Sequence, residues 1–546
     1  VLLKTIPDLP AFSRRWVKAA IVLAAILFCA PLISALALDA GFLRLANETL
    51  AYRFFYSERM LAGETLAVGV GYLVSVVHHI VYLSMHIFPS VAAASLETRL
   101  DLFSLLTIGA LSATICGILF IAIRSSRLLL IDHILLVMTM LVPLYGTVII
   151  GFLYALMADY HLVNIILCTA TLLLFQWVWR NTSMVNRSTV IALGIFVGIA
   201  MANKITMLVP AGVILVPAVF HRSAKWHEIL LRALLAMVGM VAAFALVHLL
   251  SYMGSVPRTL AGLRIWWAFA SNPGFEPAFW TDLFNVFIVG FNYGYFFAYS
   301  LGVLLFFTIA LAIRRELFNW TSLLVLIYCV AAFGACLFFV GKRPAGSTLF
   351  DSTLFIFTLS AVIFTVTTAW KSARLLIVLS FAGWIALAGV TFSAGKLHSM
   401  IASSRLDSKI KWAVFDFTRQ LANGRPIEVI YPDNSFHHEG PFELLFKAAT
   451  DFPTWQISTG KRTILDRYAP GMSFRHNPGE TTPKMPYDGG RVLVWFDLPE
   501  SQPLEMRYRE LAKILSRSGV SRFSPHEYSH HLEMYNSVKI QIALIP

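Results

Sequence analysis

Runs of about 20 apolar residues return again and again along this chain, and few folds accept them. Each run matches roughly 30 Å of hydrocarbon at about 1.5 Å rise per helical residue. Of the 546 residues 58% are hydrophobic and 13% charged, far more apolar surface than one soluble core could hide. The class is therefore a polytopic α-helical membrane protein. Spans are read at 16–38, 102–124, 129–153, 161–179, 228–251, 284–313, 319–341, 349–369 and 374–394. A further tract at 188–220 is interrupted by Asn203-Lys204 and reads as two short helices, because a lysine at that depth is tolerated only beside protein or water. The total is about eleven spans. The first is too long, and too weakly marked for cleavage, to be a signal peptide. Segment 66–92, with His78, His79, His86 and Pro89, reads as interfacial.

Orientation follows from the basic residues. Loops holding Lys4, Arg14, Arg15 and Lys18, then Arg124 and Arg127, Arg180 and Arg187, Arg222, Lys225 and Arg232, Arg314 and Arg315, and Lys371 and Arg374 alternate with less basic ones. Positive loops stay in the cytoplasm, so the amino terminus is expected inside and, after an odd number of spans, the carboxyl terminus outside. That places Asp39 and Glu48, Glu97 and Arg99, Asp159, Lys204, Arg258 and Arg264 within a long loop 252–283, and Lys342 with Arg343 on the outer side. Basic residues on the disfavoured side need another reason to be there, and an anionic ligand at the outer leaflet supplies one.

From about residue 399 the character changes. Charge and proline rise, strand-length apolar runs stand at 426–430, 491–496 and 538–542, and helical patterns stand at 442–450 and 504–518. This reads as an extracytoplasmic α/β domain over 399–546 behind a membrane domain over 1–398, whose first outer loop is 39–65. Cys29, Cys116, Cys168, Cys329 and Cys336 all fall within spans, so no disulfide is expected in that domain.

The first outer loop is polar in an unusual way. Asp39, Asn47-Glu48-Thr49, Tyr52 and Ser57-Glu58-Arg59-Met60-Leu61-Ala62-Gly63 follow directly on a span, where carboxylates are costly unless water or a ligand needs them. This stretch resembles the Asp-Glu-x-x-x-Tyr to Leu-x-x-Gly signature of the first outer loop in GT-C glycosyltransferases. The branch it looks most like is the protein-mannosyltransferase and aminoarabinose-transferase group. Glu97-Thr98-Arg99-Leu100, Ala158-Asp159-Tyr160, the tract from Gly198 to Lys204, and Lys342-Arg343-Pro344 leading into 350–357 resemble further motifs of the same group, in the same order. One departure stands out: Asn47 replaces the first acid of the pair, leaving Glu48 alone or with Asp39 eight residues upstream.

The resemblance implies a GT-C-like fold in a bacterial inner membrane, with the carboxyl-terminal domain periplasmic. It also implies inverting transfer of a sugar from a polyprenyl-phosphate donor to an extracytoplasmic glycolipid, cell-wall glycan or protein. The chemistry has its own logic, because no nucleotide sugar reaches the outer leaflet. The reaction needs a carboxylate to accept the acceptor proton, cations for the departing phosphate, and a groove for the prenyl tail. Glu48 or Asp39 would be the base, with Asp159 organising the acceptor or a divalent metal; metal use is left open. Lys204, Arg343, Lys342 and Arg258 would hold the donor phosphate, and Tyr52 and Arg99 would support acceptor or structure.

Plainer readings stand beside these. Glu48 can solvate an interfacial helix, Asp39 can mark a span boundary, Asp159 can cap a helix, and Lys342 and Arg343 can bind phospholipid. His78-His79 with His86, His437-His438 with Glu439, and His526 with His530-His531 have helical ligand spacing, yet none carries a complete metal signature. There is no Walker loop, dinucleotide fingerprint or nucleic-acid module, and the net charge of +13 fits membrane topology better than nucleic acid. The alternative functions are a transporter or flippase of a lipid-linked saccharide, and a non-catalytic assembly subunit whose site has decayed.

Overall fold

One long helix is packed inside out by the standards of a water-soluble protein. In the helix Trp226–Ser251 the buried positions include Ala236, Gly239 and Ala243, whereas Leu230, Leu234, Val241, Leu246 and Leu250 face outward. Small residues at the helix contact and large apolar ones on the exposed face are what a lipid surround favours, since lipid offers no hydrophobic drive to bury leucine. In this computed structural model the described residues are 48–61, 65–66, 72–94, 96–124, 132–133, 135–136, 139, 160–220, 225–270, 319–342 and 346–367, with strands between 427 and 545.

Among the described residues the α-helices, in chain order, are α1 (Glu48–Leu61), α2 (Tyr72–His86), α3 (Pro89–Ala92), α4 (Leu96–Arg124), α5 (Tyr160–Arg180), α6 (Arg187–Asn203), α7 (Leu208–Ala211), α8 (Leu215–Val219), α9 (Trp226–Ser251), α10 (Val256–Ala270), α11 (Trp320–Lys342) and α12 (Gly346–Thr367). Among the described residues four stretches, Thr98–Ala122, Tyr160–Arg180, Trp226–Ser251 and Trp320–Phe339, are long and apolar enough to cross a membrane. The expected spans at 16–38, 284–313 and 374–394, and most of 129–153, lie outside the described residues. The chain divides into two compact units. One comprises Val1–Ser34, Val68–Ile80 and Leu106–Leu397; the other comprises Ala35–Ala67, Val81–Leu105 and His398–Pro546.

The first unit is organised around α5, α6, α9, α11 and α12. The side chain of Asn186 caps α6 by accepting the Thr189 N–H at 2.9 Å. Along α6, Gly194 and Gly198 lie against α9 so closely that a Cβ on either would collide with the Ala236 or Met240 carbonyl. A Cβ on Gly239 would stand 2.6 Å from the Ile191 oxygen, so the close approach is reciprocal. After Asn203 the chain opens: Lys204 is extended (φ −153°, ψ 129°), and the following turns alternate between 3-10 and α geometry as far as Val219. Pro210 and Pro217 explain the irregularity, because each removes an N–H from the ladder. Side chains of α11 bond carbonyls along this stretch: Tyr328 donates to the Leu208 and Val209 oxygens at 2.8 and 3.1 Å, and Thr321 donates to the Phe220 oxygen at 3.0 Å.

Two loops of the sequence reading contain helix. Within 252–283, α9 ends in a Schellman turn, with Gly254 (φ 75°) donating to the Leu249 oxygen at 2.8 Å and Met253 (φ 54°) to the Leu250 oxygen at 3.0 Å. The chain then enters α10, with Pro257 in its first turn, where its missing N–H costs nothing. Within 39–65, α1 takes up 14 residues and buries Arg53, Phe54, Tyr56, Ser57, Glu58 and Met60, which is burial round most of its circumference.

In the second unit β1 (Thr65–Leu66) pairs antiparallel with β3 (Gln456–Ile457). A five-stranded mixed sheet runs in the order β4 (Met472–His476), β2 (Ile427–Tyr431), β5 (Gly490–Asp497), β7 (Lys539–Ile545), β6 (Ser524–Tyr528). The first three strands are parallel and the last two join antiparallel. The apolar run Val492-Leu493-Val494-Trp495-Phe496 occupies the central strand, where both edges are paired. The helical patterns at 442–450 and 504–518 lie outside the described residues.

Candidate functional site

The break after α6 places Lys204 against a buried carboxylate that the sequence reading did not single out. Its ammonium pairs with Asp351 Oδ2, in the second turn of α12. Asp351 is 2% exposed, while the Lys204 side chain keeps 15% of its surface, so the cluster is closed on the aspartate side and open on the lysine side. Two more donors complete the carboxylate: the Nδ1–H of His161 reaches Oδ1 at 2.9 Å and the amide of Asn164 reaches it at 3.0 Å. Because a carboxylate only accepts, His161 carries a proton on Nδ1. A second amide extends the network, with Asn203 donating to Asn164 Oδ1 at 2.8 Å and to the Tyr160 carbonyl at 3.0 Å. The ring of Tyr160 lies 5.1 Å from the lysine nitrogen and 3.9 Å from the imidazole, offering its π face to both.

Helix ends account for this gathering. His161 and Asn164 stand in the first turn and a half of α5, Asp351 early in α12, and Lys204 just past the end of α6. Helix amino termini favour negative charge and carboxyl termini favour positive charge, so each ion sits where the backbone dipoles help it. Buried ions among apolar helices are costly unless paired and hydrogen-bonded, and this group is both.

A second cluster lies in the other unit. Arg99, also 2% exposed, directs its guanidinium to His86 Nε2 at 2.9 Å and the Tyr82 hydroxyl at 3.3 Å, with its carbon 5.4 Å from the Phe54 ring centre. Phe54 in turn meets Tyr82 and Phe103 edge-on, at 5.1 and 5.4 Å between ring centres. Arg99 thereby joins α2 and α4 to α1, the helix of the first-loop signature.

The remaining expected site residues fall as follows. Glu48 opens α1, Tyr52 follows one turn later and Lys342 ends α11, all three with side chains outside the described set; Asp39, Asp159 and Arg343 lie outside it altogether. Arg258 stands in the first turn of α10, half-buried, and is not among the partners of Lys204, which are Asp351 and Tyr160. The signature supplies a further buried carboxylate, Glu58, that was read as part of the motif but not as a site candidate.

The histidine spacing on α2 does not gather ligands. His79 bonds the Ser251 carbonyl at 3.0 Å, and His86 bonds the Tyr82 carbonyl at 2.7 Å through Nδ1 and Arg99 through Nε2. His526 lies in strand β6, so helical spacing does not apply to it, and the 437–439 group lies outside the described residues. Among the described residues no three His, Cys, Asp or Glu side chains are disposed to hold a metal ion.

No family profile, curated protein or solved structure matches the chain.

Proposed function

We propose that the chain is a GT-C-type membrane glycosyltransferase that moves a sugar from a polyprenyl-phosphate donor to an extracytoplasmic acceptor with inversion. The observation that carries this reading is the partly open Lys204 at the α6 break, beside the amino-terminal turns of α5 and α12. A single ammonium together with helix amino termini suits a phosphate group. Within the reading Lys204 holds the donor phosphate, Glu48 or Asp39 accepts the proton of the attacking hydroxyl, and Lys342, Arg343 and Arg258 add positive potential. The ordered motifs, from Asn47-Glu48 in the first loop to Lys342-Arg343, support it from the sequence side.

One observation favours a second reading, a flippase or transporter of a lipid-linked saccharide. Buried ionisable groups meeting at an interrupted apolar helix are also how transporters build substrate and ion sites. Transfer of radiolabelled sugar from a polyprenyl-phosphate donor by the purified full chain separates the two. The transferase reading expects transfer by the parent protein and a loss of at least about a hundredfold in Glu48→Gln or Asp39→Asn. Full activity in both variants rules out the proposed base, and absence of transfer alongside donor movement across vesicles favours the transporter.

A further inference from the structure

A lysine already neutralised by a buried aspartate is a poor phosphate site unless something takes its place. Removing one partner of a buried ion pair leaves an uncompensated charge, which the structure tolerates only if another group takes its place. Asp351, 2% exposed, is not released to water when Lys204 turns away. The side chain placed to compensate is His161, 4% exposed, whose Nδ1–H already donates to Asp351 Oδ1 at 2.9 Å. Histidine is the side chain that ordinarily changes charge near neutral pH.

We infer that Lys204, Asp351 and His161 form a proton-coupled site for a phosphodiester anion: the phosphodiester takes the ammonium of Lys204 from Asp351, and His161 takes up one proton at Nε2 to become the new counter-ion. The inference rests on the reading of Lys204 as a phosphate ligand and deepens it. Charges balance in both states. At rest Lys204 and Asp351 cancel and His161 is neutral. When the site is filled, Lys204 cancels the phosphodiester, imidazolium cancels Asp351, and one proton has come from solvent.

The surroundings suit both states. The Tyr160 ring lies against both the lysine nitrogen and the imidazole, so it faces a cation before and after the exchange. The amide of Asn164 stays on Asp351 Oδ1 throughout. Among the described residues the titratable groups beside the imidazole include Tyr160 on its own helix, Lys204 beyond α6 and Asp351 on α12; the buried thiols Cys168 on α5 and Cys336 on α11 lie within electrostatic range of Asp351. Lys204 reaches the cluster from an extended, non-helical residue with part of its side chain open, which gives the ammonium room to turn.

The test is calorimetry on the purified full chain in detergent, in buffers of different ionisation enthalpy. Farnesyl methyl phosphate serves as the lipid-borne phosphodiester and dimethyl phosphate as the free one. Both keep a constant charge through neutral pH, so any proton taken up belongs to the protein. The expected result is uptake of about one proton per probe bound, with Kd rising toward tenfold per pH unit on the alkaline side. A preference for the farnesyl probe assigns the site to lipid, and equal binding assigns it to the headgroup alone. His161→Gln is expected to bind without proton uptake and without the pH slope. Asp351→Asn is expected to bind at least about tenfold more tightly, also without uptake, because the competitor for Lys204 has lost its charge. Binding that needs Lys204 but takes up no proton overturns the exchange and leaves the phosphate reading standing. Binding unchanged in Lys204→Met, or no binding of either probe by the parent protein, overturns the phosphate reading and the exchange with it. The proton count on the parent protein needs no variant to fold.

Discussion

Each end of helix α5 meets a buried aspartate from another part of the chain, and the two are held in opposite ways. At its carboxyl end Arg180 grips Asp132 with two guanidinium bonds of 3.1 and 3.3 Å, and Gln176 bonds the Asp132 carbonyl at 3.0 Å. At its amino end, about 28 Å away by helical rise, Asp351 is shared by a flexible ammonium, an imidazole and an amide. The planar fork of arginine matches a carboxylate in one geometry and keeps its charge. Lysine offers a point charge on a four-carbon stem, and imidazole offers a charge that comes and goes. One end is built as a fastening and the other as an exchange, although each presents as a cation beside an aspartate.

That contrast can be broken by substitution. Asp132→Ala should have the largest effect, costing about 3–5 kcal/mol and showing as a sharp loss of monodisperse protein and a lower thermal midpoint in detergent. Lys204→Met should cost less, about 1–2 kcal/mol by the same measurement, because His161 and Asn164 still donate to Asp351. If the two variants melt alike, the amino-terminal cluster is a fastening too. Arg180→Lys sharpens the comparison from the other side: loss of the bidentate grip should cost about 1–2 kcal/mol, whereas Lys204→Arg should shift the midpoint by less than that. The smallest effect serves as a control remote from the pairings. Met253→Gly relieves a left-handed residue at the end of α9 and should be neutral or stabilise by up to about 1 kcal/mol.

The sequence made the α6 interruption legible because a lysine in an apolar run has few tolerable explanations, and Asn203-Lys204 marks where the helix ends. The same reasoning applied to Asp351 would have found its partner, since Gly346-Ser347-Thr348-Leu349-Phe350-Asp351 leads a carboxylate into an apolar helix. Within the span at 349–369 one acid near the boundary passes for an ordinary end marker. His161 and Asn164 were hidden likewise, at the start of a span whose length was the stronger signal. Pairing across 147 residues leaves no local trace in sequence. The helix α10 is hidden for a different reason: charge and proline in 252–283 read as loop, although Pro257 in a first turn is a start signal. In the first outer loop the acids were legible as costly, but the burial of Glu58 within α1 depends on tertiary packing that periodicity does not encode.

The glycine contact between α6 and α9 also sets a timetable. Its partners are some 40 residues apart, so during synthesis the pair can close as a hairpin soon after Ser251 has been made. Asp351 follows Lys204 by 147 residues, a delay of roughly 7–30 s at ordinary elongation rates. The lysine is therefore in place long before its counter-ion exists. Any effect of Asp351→Asn on assembly should therefore appear only after the full chain is made, with the early hairpin stage unchanged, a pattern that pulse-chase labelling with protease challenge would reveal.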